Sequence, residues 1–246
     1  MNLFTLRWST RFITSLVKFT PALKKAKELK KTGVWENYKP FVDEQLYKWL
    51  NPLIDMADVK FIVNGKENIP QDEPVIYTPN HSSMFDIPAV LLNTPKPPMF
   101  MGKKELAGVP LIGDWMEVMD CVFVDRKNKS SAHSTLCDAI EMVKKGRSIV
   151  VFPEGTRSKT DEIGEFKGGA MKIAMETGAK VVPVVIDGAR EHLEATGDVK
   201  RGNIFVTFLE PIATNGLSKD DFFKMPAKIR TLIINKRGED RAQRSK

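Results

Sequence analysis

From Val59 onward the chain alternates short strand-like runs with helical stretches, and this alternation limits its folds more than any other feature. V-K-F-I-V (59–63), V-I-Y (75–77), C-V-F-V (121–124), S-I-V-V-F (148–152), K-V-V-P-V-V-I (180–186) and I-F-V-T-F (204–208) are the strands. Residues 130–145 and 168–177 have helical character, and Asn64-Gly65 marks a turn. Strands interleaved with helices predict an α/β domain, a mainly parallel, mixed sheet flanked by helices. In such sheets ligands bind beyond the carboxyl ends of the strands.

The first 55 residues read differently. Residues 2–20 predict a helix stopped by Pro21, and residues 41–54 a second, with a lysine-rich stretch, 24–31, between them. Residues 1–55 are thus expected to form a helical appendage and 56–246 the α/β domain. Residues 1–31 hold eight basic side chains and one acidic one, while the remaining 215 balance 30 basic groups against 30 acidic. The net charge of +7 therefore belongs to one segment, unlike the basic groove or face of a nucleic-acid binder. On a helical wheel Arg7, Arg11 and Lys18 share a wedge of about 40°, and Leu3, Phe4, Trp8, Phe12, Ile13, Leu16, Val17 and Phe19 fill much of the rest. That pattern fits a helix lying on an anionic membrane surface. It also fits a helix packed on its own domain with a solvated basic stripe. No apolar run of about 18 residues predicts a span, and charges interrupt the stretch where a signal peptide would need continuity. Cys121 and Cys137 read as core residues, and the tail from Lys236 to Lys246 as a fraying polar end.

Candidate chemistry sits at two strand ends. In N-H-S-S-M-F-D (80–86) His81 follows V-I-Y, and Asp86 opens an apolar stretch five residues later. A loop there can fold the carboxylate onto one imidazole nitrogen, fixing the tautomer and leaving the other nitrogen as a base. The alternative is Asp86 as a helix cap and His81 as a loop residue. His133 and Asp138 repeat the spacing inside a helix, where positions five apart point about 140° from each other. F-P-E-G-T-R-S (152–158) leaves the S-I-V-V-F strand with Glu154, Gly155, Thr156 and Arg157. Gly155 permits close backbone approach and Arg157 offers a planar fork suited to phosphate. Glu154 suits a polyol hydroxyl or the orientation of arginine, although a strand-end Glu–Arg pair taken alone is more often a structural ion pair. Lys103, Lys104 and Arg126 add cations. The sequence has neither a P-loop nor G-x-G-x-x-G, Val150 breaks the G-x-S-x-G begun at Gly146, and His192 lacks metal-ligand spacing.

N-H-S-S-M-F-D and F-P-E-G-T-R-S together resemble the first and third blocks of the glycerolipid acyltransferase family, most closely its bacterial 1-acylglycerol-3-phosphate acyltransferases. G-D-W-M-E-V-M-D-C-V-F-V-D-R (113–126) and V-V-P-V-V-I (181–186) are similar to the second and fourth. The resemblance implies that His81 is the general base and Asp86 its orienting partner. It implies that Arg157, with Glu154, Gly155 and Thr156, holds a glycerol phosphate, and that Arg126 and Lys103 are further phosphate contacts. It implies no metal and no cofactor, with an acyl thioester of acyl carrier protein or coenzyme A as co-substrate and lysophosphatidic acid as acceptor. The chain is then expected on the cytoplasmic face of the cell membrane as a peripheral enzyme of phospholipid biosynthesis. Glycerol 3-phosphate or another lysophospholipid as acceptor, thioester hydrolysis, and lipid binding without turnover are the alternatives.

Overall fold

The computed structural model describes residues 2–125 and 129–245. Three helices come first: α1 (Leu3–Lys18), α2 (Thr20–Lys31) and α3 (Trp35–Ala57). They lead into β1 (Val59–Asn64), β2 (Val75–Pro79), α4 (Asp86–Leu91), β3 (Met99–Lys103), α5 (Ile112–Val118) and β4 (Val122–Val124). There follow α6 (Lys129–Lys144), β5 (Ile149–Val150), α7 (Gly169–Thr177), β6 (Lys180–Asp187), β7 (Gly202–Phe208) and α8 (Lys219–Arg244).

The strands form one sheet in the order β1-β7-β6-β2-β5-β3-β4. β6, β2, β5, β3 and β4 run parallel. β7 is antiparallel to β6, and β1 is parallel to β7, so that edge of the sheet points the other way. The sheet is therefore mixed but mainly parallel, as the alternation predicts. Ile76 sits beside Ile149 and Val181, and Tyr77 beside Val150 and Val182. Successive strand residues face opposite sides, so these two rows divide the core. The first row packs with residues of α6, α7 and α8, the second with residues of α1 to α5.

Several expectations need correction. Pro21 ends no helical region. It occupies the first turn of α2, where its missing N–H costs nothing. The lysine-rich stretch is thus helical, and two of its lysines face the domain: Lys27 pairs with Asp114 at 2.5 Å and Lys30 with Asp120 at 2.8 Å. The helix expected at 41–54 begins earlier, at Trp35, and runs through Pro40 and Pro52. Cys121 is buried, but Cys137 is exposed on the outer face of α6. The polar tail does not fray within the described residues. It is the last part of α8, whose arginines are fixed by buried and half-buried carboxylates: Arg241 binds Asp161 at 2.6 and 2.8 Å, and both Arg241 and Arg244 bind Asp187.

α1 has three faces. Phe4, Trp8, Phe12, Leu16 and Phe19 turn inward. Trp8 donates its indole N–H to the Leu53 carbonyl at 2.9 Å, and Trp49 donates to the Ser15 hydroxyl at 2.8 Å, which pins α1 onto α3. Leu3, Leu6, Ile13 and Val17 lie on the opposite side with 72, 48, 60 and 61% of their surface exposed. Arg7, Arg11 and Lys18 form the strip between. Among the described residues no helix is long and apolar enough to cross a membrane.

Candidate active site

β2 and β5 are neighbours, yet the chain leaves them in opposite directions. After β2 it crosses one face of the sheet through α4, and after β5 it crosses the other through α7. Divergent connections open a crevice at the carboxyl ends of such a strand pair. The His81 loop enters it from β2 and the Glu154–Arg157 loop from β5.

Asn80 sets the first loop. Its buried amide donates to the Ile186 carbonyl and accepts from the Ile186 N–H, both at 2.8 Å, so the side chain pairs with β6 as a backbone segment would. His81 follows. Asp86 is fully buried at the start of α4. Its Oδ2 accepts from His81 Nδ1 at 2.8 Å and from the amides of Ser82 and Ser83 at 2.7 and 2.8 Å. The cap-like role and the orienting role thus coexist in one oxygen. An ionised carboxylate only accepts, so the bond places the proton on Nδ1 and leaves the lone pair on Nε2. Phe152 stacks on the imidazole at 3.8 Å between ring centres. Tautomer and ring plane are both fixed. His133, the spacing control, is exposed and lies 3.8 Å from the Cys137 sulfur rather than on Asp138.

The second loop is bonded directly to the first. Glu154 accepts from the His81 amide at 2.7 Å and from the Gly164 amide at 2.9 Å. The Ser158 amide donates to the His81 carbonyl at 2.8 Å. Burial raises the Glu154 carboxyl above the ordinary glutamate range, against the two amide bonds that favour its charged form. Glu154 is therefore a bridge beneath the histidine rather than Arg157's partner. Gly155 has φ +76°, a conformation that side-chain-bearing residues rarely adopt. It turns the chain so that Thr156 and Arg157 reach the surface. The Lys167 ammonium lies close to Gly155, within 3.0 Å of where a Cβ there would sit.

Arg157 is gripped instead by Glu194, from the segment joining β6 to β7: its Nη1 donates to Glu194 Oε1 at 2.8 Å. The same oxygen accepts from the Met84 amide at 2.8 Å. Nearby, His192 is buried between the carbonyls of Lys200 and Asn203. Of the remaining cations, Lys103 ends β3 on the same edge of the sheet and is exposed, and Lys104 pairs with Asp125 at 3.2 Å. Arg126 lies outside the described residues. Asn80, Phe152 and Glu194 are site residues that the sequence does not announce. Asn80 stands in a quoted motif, but an asparagine next to a histidine signals no chemistry, and Glu194 lies too far along the chain for spacing to reveal it. The void behind the two loops, lined by Asn80, His81, Glu154 and Arg237, holds only about 10 Å³. That is room for about one water.

Comparison with known proteins places both loops within one matched region. Residues 60–187 match the model of the family described as acyltransferase. The chain is 37% identical over 156 residues to the chloroplastic 1-acyl-sn-glycerol-3-phosphate acyltransferase of Arabidopsis thaliana, covering 62% of this chain and 44% of that protein. It is 31% identical over 204 residues to a probable 1-acyl-sn-glycerol-3-phosphate acyltransferase of Mycoplasma genitalium, covering 75% of each. The match thus spans less than half the length of the plant protein and three quarters of the bacterial one. The crystal structure of the 1-acyl-sn-glycerophosphate acyltransferase PlsC from Thermotoga maritima superposes with a TM-score of 0.78 at 26% identity, over 97% of this chain and 96% of that one.

Proposed function

The chain belongs to the acyltransferase family, and on that premise we propose that it transfers a fatty acyl group from an acyl thioester to the free hydroxyl of 1-acylglycerol 3-phosphate. One observation carries this reading: an imidazole whose Nδ1 is held at 2.8 Å by a buried carboxylate, on a loop hydrogen-bonded to the loop that presents Arg157. His81 Nε2 takes the hydroxyl proton as the oxygen attacks the thioester carbon, and Asp86 stabilises the imidazolium that forms. The tetrahedral intermediate collapses with cleavage of the C–S bond. The leaving thiolate, of acyl carrier protein or coenzyme A, takes the proton back from His81, and phosphatidic acid remains. Arg157 binds the acceptor's phosphate, helped by Thr156, Gly155, Lys103 and Arg126, while Glu154 keeps the two loops in register. The reaction asks for no metal and no cofactor beyond the thioester.

Residues 1–55 act as the membrane-association motif and 56–246 as the catalytic domain, with the enzyme peripheral on the cytoplasmic face of the cell membrane. The exposed apolar stripe of α1 and its flanking cations support this, the first entering the acyl region and the second meeting lipid phosphates. On the inner face, Trp8 packs 6.0 Å from Phe85, the neighbour of Asp86, so the helix and the catalytic loop touch.

The test is a matrix of acceptors and donors, with lysophosphatidic acid, glycerol 3-phosphate and 1-acylglycerol against acyl carrier protein and coenzyme A thioesters. His81→Ala should keep its melting temperature and lose about 10²- to 10⁴-fold in turnover, the usual contribution of a positioned base. Near-normal turnover in that variant removes His81 from the mechanism. Free fatty acid released without any acceptor identifies a hydrolase instead.

A further inference from the structure

Resting on the phosphate reading of Arg157, we propose that Glu194 is the positioning residue that sets the enzyme's preference for a phosphorylated acceptor. Glu194 is outside all four sequence blocks. Its Oε1 receives two hydrogen bonds at once, from the Met84 amide on the histidine loop and from Nη1 of Arg157 on the phosphate loop. One oxygen therefore fixes the spacing between the base and the guanidinium. The bond uses a single amine of Arg157, which leaves Nε and Nη2, one edge of the planar fork, for a phosphate.

The other oxygen shows that the carboxylate is more than a staple. Glu194 Oε2 is buried and has no hydrogen-bond partner among the described residues. A buried acceptor left unpaired is costly, and joining Met84 to a neighbouring segment needs no negative charge. Arg157 explains the charge. Its side chain is 46% exposed while Glu194's is 18% exposed, so solvent reaches the cation far more than its anchor. Without Glu194 the arginine samples solvent and loses ordering entropy each time a phosphate binds. A neutral acceptor gains nothing from an ordered guanidinium, so whatever freeing the Met84 amide costs both acceptors, the loss through Arg157 falls on phosphorylated ones.

The experiment compares lysophosphatidic acid with 1-acylglycerol in the wild type, Glu194→Gln, Glu194→Ala, Arg157→Ala and the Glu194→Ala/Arg157→Ala pair. Glu194→Ala should raise KM for lysophosphatidic acid roughly 2- to 10-fold more than KM for 1-acylglycerol, the range for leaving one side chain to be ordered on binding. Glu194→Gln, which can accept the same two bonds without the charge, should fall between wild type and alanine. If the alanine variant fails to fold, a rise confined to the phosphorylated acceptor in Glu194→Gln still decides the matter. With Arg157 absent, removing Glu194 should not change the ratio between the two acceptors further. The idea is overturned if neither variant changes the acceptor ratio, if both acceptors suffer alike, or if the loss persists undiminished without Arg157. Those results leave the acyltransferase reading standing. Should Arg157→Ala itself treat the two acceptors as the wild type does, the phosphate role of Arg157 falls and this inference with it.

Discussion

Asn80 joins the His81 loop to the centre of the sheet, and the cost of losing it follows from its two bonds. Replacing it with alanine strands both peptide groups of Ile186, a buried donor and a buried acceptor. At about 1–3 kcal/mol for each unsatisfied group, Asn80→Ala should destabilise the fold by roughly 2–6 kcal/mol in urea unfolding, and a loss near zero would mean Ile186 finds other partners. At this level the sequence is partly legible. His81 and Asp86 stand out because a strand end and a helix start flank them, whereas the same spacing at His133 lies within a helix and forms no pair with Asp138. Glu154 is visible as a residue, but its partner is not. The strand-end Glu–Arg pairing that the motif suggests is replaced by two backbone amides. Arg157's actual partner comes from a segment whose position depends on the sheet order, which no local pattern encodes.

α1 separates two jobs that its sequence superimposes. The inward aromatics hold the helix to α3 and to Phe85, while Leu3, Leu6, Ile13 and Val17 remain outside. Removing residues 1–20 would therefore uncover core and test two things at once. Ile13→Glu with Val17→Glu is the cleaner experiment. Both side chains are about 60% exposed, so the melting temperature should hold while binding to anionic vesicles drops and becomes more sensitive to salt, as read by cosedimentation. Unchanged binding would place the membrane contact elsewhere. The helical wheel shows the basic wedge but cannot say which apolar residues face the domain, because the apolar positions cover most of the circle. α2 escapes the sequence reading for a simple reason: proline suggests a stop, whereas in a first turn it is a start. β3, M-F-M-G-K, is equally hard to see because it lacks the β-branched residues that mark a strand.

The closing helix α8 ties the loop after Arg157 to the end of β6. Arg241 joins Asp161, on the loop after Arg157, to Asp187, at the end of β6. Hydrogen bonding from Arg241 holds the Asp161 carboxyl below the ordinary aspartate range, with burial opposing. Because the folded value lies below the unfolded one, near about 3.9, this contribution is present above about pH 4 and disappears as pH falls through the folded value. The Asp161 side chain is 54% exposed, so solvent trims the effect. Thermal unfolding from pH 6 to 2.5 should show a shallower acid decline for Asp161→Asn than for the wild type, starting from a lower plateau at pH 6. Parallel curves would assign the acid dependence to other pairs such as Lys27–Asp114. The overall α/β class is readable from alternation alone. The reversed edge is not, since β1 and β7 look like any other strands and only their pairing gives them direction. That pairing also orders events in time. The strand beside β1 in the sheet is β7, and the Thr5 hydroxyl accepts from the amide of Val199, so both contacts close very long loops and form late in folding. α1 need not wait for those late contacts, because its partners on α3, the Leu53 carbonyl and the Trp49 indole, lie close to it along the chain.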